Sequence, residues 1–462
     1  MASRRFPLLG LIGAACSLVA VFAASGSPIP LYETYRRADG LTTGDLALTA
    51  VAYFAGAMLA LLTLGRLSNH LGRRPVTLAA LALAAAGCLV LVEVHGTATL
   101  VTGRVLQGLA CGLASSAVAA YVVDTAPPTP RWLAAAVTAG APMIGLTVGA
   151  IGSGALAEYG PAPRTLAYLL AAPMLAACAV LVAVGPETAA RTPGVAASLR
   201  PQVRVPPGAR RFLPVAAATF VATWALGGFY QAFGPTVAAD QLGTTNALVA
   251  AAVFASLMAP SAVGGPLAGR LAPATAQRAG MVVYLLAVAV ILTSLRLGTV
   301  LPFLVASAVA GAAQGATMTG SMRALLMRTG PADRAGLLAA VYLISYSGAA
   351  IPGLVAGQLS SSLDLFTIAV GYGVLAALAC VLTLATARNP APLPQAELSA
   401  RAVVTDLLSA PREGRPDTRH QTASFRSPST FVPNPPPRDH GSRTTASPAE
   451  RRSRQSTRVY PS

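Results

Sequence analysis

The chain has 462 residues and 33 arginines with no lysine against 16 carboxylates, a formal net charge of +17. It is 54% hydrophobic and 11% charged, with a mean hydropathy of +0.61, whereas soluble domains are roughly a quarter charged. That excludes an ordinary soluble globular chain, and arginines confined to connections and the C-terminal tail give no reason to expect a nucleic-acid partner.

Apolar runs bounded by turn residues predict twelve membrane helices, at about 7–31, 44–64, 75–95, 98–121, 132–156, 165–185, 212–237, 246–268, 279–296, 299–325, 335–359 and 364–387. Each is close to the length that crosses a bilayer. Arg4 and Arg5 precede the first run, which is longer than the core of a secretory signal and lacks a clear cleavage context. They are read as the flank of an uncleaved first span. Glu33, after Ser27-Pro28-Ile29-Pro30, and Asp45 stand at the far ends of spans 1 and 2. They are the candidates for a proton site, and the plain alternative is that both are solvated interface residues.

Between the second and third runs lies Gly65-Arg66-Leu67-Ser68-Asn69-His70-Leu71-Gly72-Arg73-Arg74. Three arginines in so short a connection cannot lie in hydrocarbon, and they mark the cytoplasmic surface. With that side fixed, fifteen arginines fall on inner segments and four (Arg36, Arg37, Arg164 and Arg296) on outer ones. Both termini are then cytoplasmic. Gly72 permits a turn, and Arg73 and Arg74 can meet carbonyls or carboxylates such as Asp124. A purely topogenic role for the arginines is the other reading.

In the fourth run Arg104 lies about 9 Å from the span end at 1.5 Å per residue, where a charge marks a functional cavity or snorkels to the surface. Gln107 shares its helical side. Gly140 to Gly154 in the fifth run form a stripe of small residues. Pro142, Gly145 and Gly149 there, with Pro352 and Gly353 in the eleventh run, are candidate bending points, ordinary tight packing being the alternative. The seventh run holds Trp224, Tyr230 and Gln231, the tenth Gln314, and the eleventh Tyr342 and Tyr346. With Arg104 and Gln107 these are the candidate substrate-cavity residues; Tyr230 and Gln231 also suit an interfacial belt.

The segment 186–211, rich in proline and arginine, reads as a linker. The chain thus divides into an N-terminal six-helix half (1–188), a cytoplasmic linker (189–211), a C-terminal six-helix half (212–387) and a tail (388–462). The tail has 12 arginines against six carboxylates and little to bury; it is expected to be disordered in the cytoplasm. The halves look related: Gly65 pairs with Gly265, Gln107-Gly108 with Gln314-Gly315, and Gly149 with Gly353, at offsets of about 200 to 207. The expected fold is an all-α polytopic membrane protein of two pseudo-symmetric six-helix bundles.

Gly65, Leu67, Gly72, Arg73 and Arg74 in the 2–3 loop, Arg104-x-x-Gln107-Gly108 in span 4 and Pro186-Glu187-Thr188 after span 6 together resemble the major facilitator superfamily. The resemblance covers residues 1–387. It implies alternating access, with the 2–3 loop as a latch between halves; Asn69 stands where an aspartate is usual, which implies a weaker latch. It also implies proton-coupled movement of a small amphipathic molecule, in the manner of bacterial efflux members. A sugar or metabolite porter is the second reading, and a membrane receptor or scaffold signalling through the basic tail a third. The expected setting is a bacterial inner membrane, with the lipid bilayer, the small-molecule substrate and protons as partners and the chain as a monomer. Five cysteines sit in apolar runs with no metal-ligand spacing, and no catalytic cluster stands at a span end; neither a cofactor nor an enzyme is implied.

Overall fold

A computed structural model describes residues 2–390 apart from Arg131, Pro331 and Ala332. The expected disordered tail lies outside the described residues, except for its first three positions. Twelve helices are long and apolar enough to cross a membrane. Spans 1 to 6 are Leu8–Asp39, Thr43–Thr63, Arg73–Val92, Thr97–Thr125, Leu133–Tyr159 and Leu166–Val184. Spans 7 to 12 are Leu213–Gln241, Ala247–Ala268, Pro273–Leu297, Val300–Leu326, Arg334–Leu359 and Leu365–Thr386. Apolar side chains such as Leu89, Val180, Leu286, Leu301 and Val381 stand exposed on the outside of the bundle. A soluble protein rarely leaves so much apolar surface uncovered, and a bilayer covers it.

Span 1 is longer than the hydropathy pattern suggests. Its main helix ends at Gly26, a 3-10 turn runs Ile29–Leu31, and a second helix follows, Tyr32–Asp39. The charges that end the apolar run neutralise one another instead of ending the helix: Glu33 takes Arg36 Nε at 2.7 Å and Arg37 Nε at 2.6 Å. Span 9 likewise begins at Pro273 rather than 279. Arg278 therefore lies within a helix, its guanidinium bonded to Ala387 O at 2.7 Å.

The internal duplication is visible in the closest helix contacts. A Cβ at Gly108 in span 4 would overlap the Tyr53 carbonyl of span 2, and one at Gly315 in span 10 would overlap the Ser261 carbonyl of span 8. Both members of the pair shift by about 207 residues between halves. Gly56 against Val105 O and Gly264 against Ala312 O repeat the relation. Small residues let the backbones meet where lipid gives no hydrophobic drive for association. The same pairing corrects one sequence match: Gly265 is not a loop counterpart of Gly65, because it lies inside span 8.

Successive spans alternate in direction, so the 65–72 loop, the 126–130 connection and the ends of spans 8 and 10 share one side, here called the arginine-rich face. The halves press together at the opposite face. There a Cβ on Gly154 of span 5 would lie 2.7 Å from Ala247 O of span 8, and Glu158 accepts the Ala247 amide at 3.0 Å. A Cβ on Gly357 of span 11 would lie 2.6 Å from Ala47 Cβ of span 2. Arg36 of span 1 reaches Asp240 of span 7 at 3.5 Å.

Candidate functional site

Between the halves, from the middle of the spans toward the arginine-rich face, lies a cavity of about 690 Å³. Its wall uses the first half of span 5 (Trp132 to Leu146), the middle of spans 2 and 7 (Tyr53, Phe54, Thr223, Trp224, Gln231) and the later halves of spans 8 and 10 (Phe254 to Pro266, Gln314 to Thr319). Tyr346 of span 11 completes an aromatic side, its ring 4.7 Å from Trp224 and 6.2 Å from Phe54. Among the described residues no Asp, Glu, Arg or His lines it. The volume suits a drug-sized ligand, and the mostly apolar wall with a few polar groups is the usual make-up of a small-molecule site.

Of the cavity candidates, Trp224, Gln231, Gln314 and Tyr346 stand on this wall. Tyr342 contacts Tyr346 from beside it, ring centroids 6.4 Å apart. Tyr230 turns into the C-terminal half, stacked 5.8 Å from Phe303 and hydrogen-bonded to Ser307. Arg104 and Gln107 do not line the cavity either, and the reason lies in span 1. Pro28 has no amide hydrogen, so the Ala24 carbonyl four residues earlier loses its helical donor. Gln107 Nε2 donates to Ala24 O at 2.8 Å, and Arg104 Nη1 donates to Ser25 O at 2.6 Å and to Gln107 Oε1 at 2.8 Å. Ser153 Oγ closes the same break by donating to Ser27 O at 2.6 Å. The pair at i and i+3 thus satisfies the carbonyls of a broken helix. Arg104 is wholly buried, and its guanidinium lies 4.3 Å over the Tyr53 ring. That puts the cation one side chain behind the cavity, with Tyr53 between.

The two proton candidates differ in setting. Glu33 is buried and held by Arg36 and Arg37, whereas Asp45 closes a capping box with Thr42, accepting its amide at 2.8 Å and returning Asp45 N–H to Thr42 Oγ1 at 3.1 Å. A capping box is a local device of the helix start, present whether or not protons move. Among the described residues Glu33 is the one buried carboxylate. The bending candidates differ as well. Pro142 and Pro352 lie within continuous helices. Gly145 and Gly149 are where span 5 touches span 1: a Cβ on Gly145 would stand 2.5 Å from Val19 O, and one on Gly149 would overlap the Ala23 carbonyl. Gly353 has only ordinary contact, 3.6 Å to Val51 Cγ2.

The 2–3 loop builds a charged cluster at the arginine-rich face. Gly72 sits at φ +102°, open to glycine but not to a side chain, and a Cβ there would also meet Glu187 at 2.6 Å. Glu187 accepts the amides of Arg73 at 2.7 Å and Arg74 at 3.0 Å, placing a negative charge on the positive end of span 3. The Arg73 side chain reaches Asp124 at 2.8 Å and donates to Asn69 Oδ1 and Ser68 Oγ, each at 2.7 Å. Arg74 donates to the Ala183 carbonyl. Gly65 and Leu67 lie in the turn between span 2 and the short helix Ser68–Leu71. All of these partners belong to the N-terminal half. The link to the other half runs through the linker: Arg66 donates to Ala197 O, Ser198 O and Arg200 O at 3.0–3.1 Å, and Arg204 N donates to Gly336 O at 3.2 Å, at the start of span 11. In this conformation the loop thus meets the other half by way of the linker.

The geometry missed from sequence was Trp132, the methionines of the wall and the opposite-face contact between Glu158 and Ala247. Trp132 flanks span 5, and Met143, Met258 and Met318 lie at helical positions indistinguishable from lipid-facing ones in a chain this apolar.

Comparison with known proteins gives two kinds of match. A family model described as Major Facilitator Superfamily matches residues 11–295 and 215–435. The human "Proton myo-inositol cotransporter" is 34% identical over 123 residues, 25% of this chain and 19% of that protein. An "Uncharacterized transporter" of Rickettsia bellii (strain RML369-C) is 35% identical over 89 residues, 19% of this chain and 21% of that protein. The chain thus spans about a fifth of the length of these curated relatives.

Proposed function

Because this chain belongs to the Major Facilitator Superfamily, we propose that it carries a small amphipathic molecule across the bacterial inner membrane by alternating access. The supporting observation is the aromatic cavity, with no charge among its described lining residues, between two six-helix halves that are pressed together at the face opposite the arginines. The arginine-rich face is the cytoplasmic one, so the conformation is inward-open. Rocking the halves apart at Gly154–Ala247 and Ala47–Gly357, and together at the other end, would turn the cavity outward.

Export in exchange for protons is the preferred direction and drive. An apolar wall suits a molecule that partitions into the inner leaflet and enters from the cytoplasmic side. The proton belongs at Glu33, whose partner Arg36 also reaches Asp240 of the other half. Protonating Glu33 loosens Arg36 at the seam that must part. A sugar porter is the second reading, favoured by the printed name of the myo-inositol cotransporter. It fits the wall less well, because the hydroxyls of Thr223 and Ser261 already donate to the Thr219 and Met258 carbonyls.

The test is accumulation of a panel of amphipathic dyes in cells carrying the wild type, Glu33→Gln or empty vector, with and without a protonophore. Lower accumulation with the wild type, abolished by the protonophore and by Glu33→Gln, is expected. Equal accumulation in wild-type and empty-vector cells across the panel would remove the export reading, and indifference to the protonophore would remove the proton.

A further inference from the structure

The cavity wall keeps two polar atoms in reserve. Gln231 of span 7 and Gln314 of span 10 are 5% and 7% exposed, and both line the cavity. Gln231 Nε2 and Gln314 Oε1 have no hydrogen-bond partner. Buried polar atoms are nearly always paired, so an unpaired one on the wall of a ligand-sized cavity marks a place for a ligand atom. One of the two is a donor and the other an acceptor. Thr223 and Ser261, two hydroxyls of the same wall, already donate within their own helices.

We propose that the cavity binds an uncharged aromatic molecule carrying an amide, whose carbonyl accepts from Gln231 Nε2 and whose N–H donates to Gln314 Oε1. Three further observations shape the ligand. Among the described residues the wall holds no charge, so an ionised ligand would lose its hydration without gaining a counter-ion there. Trp224, Tyr346 and Phe54 form a continuous aromatic side on which a flat ring can lie. The unpaired pair is one donor, Gln231 Nε2, and one acceptor, Gln314 Oε1, and a secondary amide carries the complementary acceptor and donor on neighbouring atoms. The proposal names the substrate class of the transport reading and rests on it for the word substrate, although binding can be measured without transport.

The chain has two tryptophans, and both line the cavity, so quenching of intrinsic fluorescence reports its occupancy. The purified full-length protein in lipid nanodiscs is titrated with benzanilide, with phenyl benzoate, which keeps the rings and carbonyl but lacks the N–H, and with 1,2-diphenylethane, which lacks both. Benzanilide is expected to bind about tenfold more tightly than phenyl benzoate, the scale of one net hydrogen bond. Gln314→Leu should shrink that gap to within about twofold, whereas Gln231→Leu should weaken both carbonyl ligands by about tenfold and leave the gap. The wild-type comparison needs no variant to fold. Equal affinity for the amide and the ester, a gap that survives Gln314→Leu, or no quenching by any of the three overturns the proposal. The amide preference in a protein that moves no dye would leave this site standing and sink the transport reading. Dye export by a protein without the preference would do the reverse.

Discussion

Arg104 shows how one residue type can carry two opposite readings until its neighbours are known. A lone cation inside a span points to a cavity or to snorkelling, yet here it donates to the Ser25 carbonyl and to Gln107, which in turn serves the Ala24 carbonyl left bare by Pro28, and it stacks behind Tyr53. Its motif and depth were legible in sequence; its orientation was not, because that depends on where span 1 breaks. Gln107→Leu should leave the Ala24 carbonyl unsatisfied and cost about 1–3 kcal/mol, read as a lower thermal midpoint in detergent. Unchanged stability would mean that the carbonyl finds another donor. The span 5 glycines allow a sharper contrast. Gly149→Ala drives a methyl into the Ala23 carbonyl, while Gly152→Ala meets nothing within 4 Å. The first should destabilise by about 1–3 kcal/mol and the second should be silent or slightly stabilising. Equal effects would show that Gly149 is not a packing contact but a bending point.

At the scale of the element, the connections matter more than their composition suggests. The 2–3 loop, the end of span 6 and the linker form one structure, because Glu187 caps span 3 and Arg66 fastens the short helix Val195–Ser198. The loop's arginines announced a surface and Asp124 as a partner of Arg73, but Glu187, Ala183 and the linker carbonyls that they also hold lie more than a hundred residues away, beyond any local pattern. Arg66→Ala should free the linker, seen as faster tryptic cleavage at Arg191 and Arg204 with little change in thermal stability, since exposed contacts of this kind contribute about 0–1 kcal/mol. Cleavage at the wild-type rate would show that the linker is held by something else. Asn69 accepts from Arg73 as a neutral group; Asn69→Asp should slow that cleavage further if the neighbouring charge tightens the cluster.

For the whole molecule, twelve spans, their alternation and the relatedness of the halves could be read from hydropathy, arginines and repeated motifs. The cavity could not, because in a chain so rich in alanine and leucine the lipid-facing and cavity-facing sides of a helix have nearly the same composition. Asn389 Oδ1 accepts the Ala274 amide at 2.9 Å and Ala387 O accepts Arg278 at 2.7 Å, so the fold continues past 387. Truncation after residue 390 should keep transport, whereas truncation after 386 should lower the yield of folded protein. Loss of transport in the longer version would assign the tail a working role. The most direct test of alternating access is a reversible clamp on the closed seam. A Cβ on Gly353 would lie 3.6 Å from Val51 Cγ2 across the halves, so a cysteine sulfur at the Val51 γ position faces a cysteine at 353, and a small shift of the two helices brings their Cβ atoms to disulfide distance. In Val51→Cys/Gly353→Cys, with exposed Cys16 replaced by serine, dye export is measured after oxidation and again after dithiothreitol. Export should stop when the bond forms and return when it is reduced; export that continues through the oxidised protein would mean that the halves need not part there for the molecule to cross.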